Sequence, residues 1–188
     1  MLGHDAVAQA LVDHGVDTMF AVLGDGNLFI GENLVREHGV NLVGATHEAN
    51  AVCMAEGWAK ATGRLGVASV THGPGLTNAM TALVEGTKNR TPMLVVAGDT
   101  PIDNEQHLQN LDQHALVTAS GAGFQAIRNV ESIAEDVSTA VRRALSEHRP
   151  IVINVPLNIE WDEVQYQPRP PLTPPAMRLA PDADQLEV

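Results

Sequence analysis

A doubly wound α/β fold, built on a mainly parallel sheet with helices on both faces, is the architecture this 188-residue chain predicts. Three observations carry that expectation. Strand and helix signals alternate with little interruption from His4 to Asp99. The strand segments are near-continuous apolar runs, the pattern of strands covered on both faces. Several helical segments stop at a glycine, and a strand follows within a few residues.

The elements follow in order. HDAVAQALVDHG puts Val7, Ala10, Leu11 and His14 at helical spacing and stops at Gly15. DTMFAVLG (17–24) is a short buried strand, and NLFIGENLVREHG (27–39) a helix ending at Gly39. NLVGA (41–45) is the next strand and EANAVCMAEGWAKATG (48–63) the next helix. LGVASVT (65–71) is a strand, GLTNAMTALVEGTKN (75–89) a helix, and TPMLVVAGD (91–99) another strand. The pattern weakens over 100–123, where DNEQHLQNLDQHAL suggests a loop with a short helix, and AGFQAIRNV (122–130) offers a further strand. Ile133, Val137, Ala140, Val141 and Leu145 share one face of an amphipathic helix, and PIVINVP (150–156) is a last buried strand. Residues 1–160 are read as one domain. Residues 161–188 are read as a linker, since QPRPPLTPPAMRLAPDADQLEV carries six prolines and no periodicity. Such a linker implies a further domain or a neighbouring subunit.

The bulk numbers exclude some functions. A net charge of −12 with only 11 Lys and Arg argues against nucleic-acid and anionic-membrane surfaces. The lone Cys53 cannot form an internal disulfide, and no apolar stretch is long enough to cross a bilayer, so a cytoplasmic protein is expected. The amphipathic N-terminus, with Asp5 and Asp13, does not resemble a signal peptide. Cys53, between Val52 and Met54, reads as core, while His4, His14, His38 and His148 read as residues of helix surfaces or ends.

Two strand-to-helix turns concentrate the chemistry. In THEANAV, Glu48 stands where a strand gives way to a helix, and a carboxylate there is stabilised by the helix dipole and free amides. Burial opposes that stabilisation, so such a Glu is suited to share a proton with a ring nitrogen. In VASVTHGPGLTNAM, Gly73-Pro74-Gly75 lets backbone approach a ligand closely, with Thr77 and Asn78 one turn on. The plain alternatives are a helix-start Glu and a tight connection. GDGNLF fails as a dinucleotide fingerprint at Phe29 and is weak as a magnesium motif, which leaves Asp25 as either a turn residue or a site acid. Gln109 and Asp112 either face a ligand or are simply solvated. No His/Cys/Asp cluster has metal-site spacing, so no metal ligand is assigned.

Together, THEANAVCMAEGWAKATG, GVASVTHGPGLTNAMTAL and PMLVVAGDTP resemble the N-terminal pyrimidine-binding domain of thiamin-diphosphate enzymes of the acetolactate synthase and 2-keto acid decarboxylase type. The resemblance implies that Glu48 hydrogen-bonds the pyrimidine N1′ of thiamin diphosphate and favours its imino form. It implies that Gly73, Pro74, Gly75 and Asn78 lie against the cofactor, that Gln109 is an active-site glutamine, and that Asp25 stands where the decarboxylases carry a proton-handling aspartate. It further implies a 2-keto acid substrate, with Mg²⁺ and the diphosphate held by a C-terminal domain absent from this chain. A homodimer or homotetramer sharing the cofactor across its interface is also implied. The decarboxylases' adjacent His-His pair is missing, as is the Arg-Pro-x-Thr-Lys stretch of acetolactate synthases, where this chain reads TASGAGFQAI. The substrate and the choice between cleavage and ligation therefore stay open. Two rival readings remain, a Rossmann-like nucleotide-binding module and a non-catalytic assembly or regulatory relative.

Overall fold

The computed structural model describes residues 1–170. Its strands are β1 (Thr18–Ala21), β2 (Asn41–Gly44), β3 (Gly66–Val70), β4 (Met93–Asp99), β5 (Gly123–Ala126) and β6 (Pro150–Pro156). Its helices are α1 (Gly3–Asp13), α2 (Leu28–Arg36), α3 (Glu48–Thr62), α4 (Pro74–Asn78), α5 (Met80–Lys88), α6 (Gln113–Ala119), α7 (Ile133–Glu147) and α8 (Leu157–Trp161). The strands form one sheet in the order β2-β1-β3-β4-β6-β5, and every pairing is parallel. The expected doubly wound α/β fold is what the chain adopts.

Alternation along the strands divides the core in two. Leu94 and Val96 of β4 turn to the face covered by α1, α2 and α7, where Leu11, Ile30, Leu34 and Val137 are fully buried. Val95 and Ala97 turn to the other face, against Ala51, Val52 and Ala55 of α3 and Leu83 of α5. Each fully buried Val, Leu or Ile stabilises the fold by about 1.5–3 kcal/mol relative to an exposed one. Local chemistry sets the helix ends. His47 caps α3, its Nδ1 accepting from the Ala49 amide at 3.2 Å, and Gly63 closes the helix at φ 69°. A capping box between Asn129 and Ser132 forms a 3-10 turn that leads into α7.

Four expectations need correction. β2 is an edge strand, with Asn41 and Gly44 exposed and Leu42 and Val43 half-buried, so it is not covered on both faces. The helix expected over 75–89 divides at Ala79 into α4 and α5, because the Thr77 hydroxyl donates back to Pro74 O and Asn78 turns its amide to Glu48. His4 is buried beside Phe29 and Trp161 rather than lying on the helix surface. Cys53 is exposed rather than core, and partial desolvation of its thiol, then Glu85 and Glu56, push its pKa up, which disfavours a nucleophilic thiolate.

Past α8 the chain returns to the N-terminus. Val164 N donates to Met1 O, the Met1 ammonium donates to Val164 O, and the Tyr166 hydroxyl donates to Asp13 at 2.6 Å. Residues up to Tyr166 therefore pack on the domain. The part of the expected linker from 171 to 188 lies outside the described residues.

Candidate functional site

β1 and β3 are neighbours, yet β2, between them in sequence, lies on the far side of β1. Open α/β sheets bind ligands beyond the strand carboxyl ends at such a reversal. Here the loops after β1 (Gly24–Asn27), β2 (Ala45–His47), β3 (Thr71–Gly73) and β4 (Thr100–Asp112) meet on that edge. Every sequence-predicted site residue lies on one of them or on the helical turn that follows.

Glu48 is the first residue of α3 and is half-buried. Asn78 Nδ2 donates to its Oε2 at 3.0 Å. Its Oε1 lies 3.7 Å from where a Cβ on Gly75 would stand, an ordinary contact distance, whereas that Cβ would overlap the Thr71 methyl at 2.8 Å. Glu48, Gly75 and Asn78 thus form one constellation, and Oε1 makes no hydrogen bond among the described residues. A carboxylate with one oxygen anchored and the other free can accept from, or donate to, a single ligand atom.

The turn beside it is locked by its neighbours. Gly73 has φ 58°, and a Cβ there would overlap the Gln109 carbonyl oxygen. The Cβ side of Gly73 is filled by this chain's own Gln109. Thr71 connects the two turns: it contacts the Cβ positions of both Gly24 and Gly75, and its Oγ1 accepts from Gly26 N at 3.2 Å. Gly26 and Gly98 are equally close, backbone against backbone. Asp25 stands exposed at the tip of this interlocked turn. Pro74 is also exposed, at the first position of α4. Asp112 caps α6 by accepting from Ala115 N at 2.9 Å, which favours the structural reading of that residue.

Beneath the loops runs a buried polar network that sequence reasoning missed. Asn27, fully buried, accepts from Gly24 N at 2.8 Å and donates to Val22 O and to Ser69 Oγ, which donates in turn to Val96 O. Gln113 accepts from Gly73 N at 2.8 Å and donates to Gly98 O and Asn154 Oδ1; Asn154 donates to Asp99. His72 is buried, and its Nε2 lies 2.7 Å from Gln109 Oε1. Ser69 and Asn154 interrupt apolar strands, and that was the available signal, because a polar side chain in a covered strand must find partners. No such signal marked Gln113.

A cleft of about 460 Å³ opens elsewhere, between α1 and α2, and none of these residues lines it. Several of its polar groups are engaged, Asn33 Nδ2 donating to Asp5 and Arg36 pairing with Glu32 and Glu37, while Asn33 Oδ1 and His4 Nδ1 have no hydrogen-bond partner among the described residues. Among the described residues no group of three or more His, Cys, Asp or Glu is arranged to hold a metal ion.

Comparison with known proteins decides the family. Residues 1–116 match the model for "Thiamine pyrophosphate enzyme, N-terminal TPP binding domain". The chain belongs to this family of thiamin-diphosphate enzymes. It is similar to a probable acetolactate synthase of Mycobacterium bovis, 36% identical over 143 residues, covering 74% of this chain and 26% of the relative. It is 30% identical to a sulfoacetaldehyde acetyltransferase of Rhodobacter capsulatus, covering 100% of this chain and 32% of that protein. It is also 30% identical to pyruvate decarboxylase 2 of Oryza sativa subsp. japonica, covering 81% of this chain and 27% of that one. The chain thus spans 26–32% of the length of these relatives.

Proposed function

We propose that this chain forms the pyrimidine-binding wall of a thiamin-diphosphate site in an enzyme that cleaves or ligates 2-keto acids. The observation that carries this reading is the Glu48 carboxylate, anchored by Asn78 on Oε2 and free on Oε1 beside Gly75. That donor set fits the edge of an aminopyrimidine, which needs one acidic group at a ring nitrogen and a narrow wall beside it. When bound, the cofactor supplies the carbanion chemistry by which the bond next to a keto group is broken or made.

The chain's own residues would do the rest. Glu48 would hold or share a proton at the pyrimidine nitrogen, and Asn78 would keep its carboxylate turned toward the ring. Gly73, Pro74 and Gly75 would set the height of the wall. Asp25, exposed at its turn, would move a proton at the substrate, and Gln109 would bind it. The diphosphate and Mg²⁺ would sit on a C-terminal domain outside this chain, facing Glu48 across a homodimer or homotetramer interface. The low share of each relative that the chain spans supports that division.

The test is made on the full-length protein with thiamin diphosphate and Mg²⁺, supplied with pyruvate and longer 2-keto acids. Consumption of a keto acid that drops by roughly 10²–10⁴-fold in Glu48→Gln is the expected result. A protein that binds no thiamin diphosphate and consumes no keto acid would overturn the proposal.

A further inference from the structure

His72 is an unusual residue to bury on this edge. It is 1% exposed, in the loop after β3, and its ring meets Gly26, His107 and Gln109 from two other loops of the candidate site. A Cβ on Gly26 would overlap its Nδ1, and the ring of His107 meets it edge-on at 5.4 Å. Its Nε2 lies 2.7 Å from Gln109 Oε1. An amide oxygen only accepts, so Nε2 carries the proton and Nδ1 is left as the acceptor. The surroundings agree with that tautomer. Gly26 N donates to Thr71 Oγ1 at 3.2 Å, and that oxygen lies 3.5 Å from His72 Nδ1, where the Thr71 hydroxyl hydrogen can face an unprotonated nitrogen.

Gly26, Thr71, His72 and Gln109 are thus contiguous, and the short contact among them is His72 Nε2 to the Gln109 oxygen. With Oε1 engaged by His72, the Gln109 NH₂ group is left without a hydrogen-bond partner among the described residues. The Gln109 backbone is held as well, its N–H donating to His107 Nδ1 at 3.2 Å and its carbonyl pressed against Gly73. The loops 22–27, 45–47, 71–73 and 100–112 contain no Lys or Arg. A neutral N–H donor is what this chain offers to a carboxylate or carbonyl on that edge.

We propose that His72 is a positioning residue that turns the Gln109 amide so that its NH₂ reads the carboxylate or carbonyl end of the 2-keto acid. This rests on the function proposed above and deepens it, because it assigns substrate selection to a pair of side chains within this domain. Asp25 and Glu48 then handle protons while His72 and Gln109 handle recognition.

The test uses the full-length protein loaded with thiamin diphosphate, and the keto acid it turns over, with pyruvate as the first probe. His72→Phe keeps the ring shape and removes the donor; His72→Gln restores a donor near the Nε2 position. KM should rise roughly 10–100-fold in His72→Phe, as for a lost hydrogen bond to a charged group, with cofactor affinity unchanged and most of the effect recovered in His72→Gln. Substituting His72→Phe into Gln109→Ala should add nothing further. Full additivity there, with Gln109→Ala alone raising KM, overturns this proposal and leaves the parent reading standing. An unchanged KM in Gln109→Ala removes the substrate role of Gln109 and this proposal with it. Crystal structures give a readout apart from turnover: Gln109 should leave its position in His72→Phe and keep it in His72→Gln, and an unmoved Gln109 in His72→Phe sinks the idea.

Discussion

Asn27 shows how one side chain can set a functional turn. It is fully buried, and it satisfies Gly24 N, Val22 O and Ser69 Oγ at once. Asn27→Leu leaves those groups without partners in a dry site, and urea unfolding should report a loss of roughly 1–3 kcal/mol for each group stranded, less any relaxation. Gly73→Ala forces a Cβ into the Gln109 carbonyl at φ 58°. It should both destabilise the fold by roughly 1–3 kcal/mol and loosen Gln109, visible as a lower urea midpoint and faster amide exchange over 107–110. The placement of Glu48, Gly73 and Asn78 at strand-to-helix turns on one edge was legible, because residue type carries positional meaning there. His72 and Gln113 were not, because the partners that explain them, Gln109 and Asn154, are remote in sequence.

At the scale of elements, α8 holds an unmatched acid. Glu160 is fully buried, neither carboxylate oxygen has a hydrogen-bond partner among the described residues, and burial alone pushes its pKa up to about 8. It packs where Gly3 opens α1, so close that a Cβ on Gly3 would overlap the Ile159 carbonyl oxygen. The folded protein keeps the Glu160 proton to about pH 8, while the unfolded chain releases it near 4.5. Between those values the folded state binds more protons, so stability falls as pH rises across the window and levels off above it. This group should contribute a slope approaching about 1.4 kcal/mol per pH unit, measured as urea midpoints between pH 5 and 9; Glu160→Gln should flatten it. A slope unchanged by that substitution would show that Glu160 does not cause it. Strand and helix order was readable from apolar period, since covered strands and amphipathic helices differ in spacing. The edge position of β2 and the break at Ala79 were not, because both depend on what packs alongside rather than on local pattern.

For the whole molecule, the sheet order is what makes the site. The reversal between β1 and β3 sets Gly24–Asn27 against Thr71–Gly75, and α3 brings Glu48 to the same edge. That edge of the sheet is thereby built from segments that are far apart in sequence and share buried hydrogen bonds. The family match over 1–116 covers the segments that carry Glu48, Gly73 and Gln109. The most direct measurement follows exchange of the thiazolium C2 proton for deuterium by NMR, in full-length protein loaded with thiamin diphosphate. Glu48→Gln should slow that exchange by roughly 10²-fold or more while far-UV circular dichroism stays unchanged. Exchange as fast as in the parent protein would contradict the account.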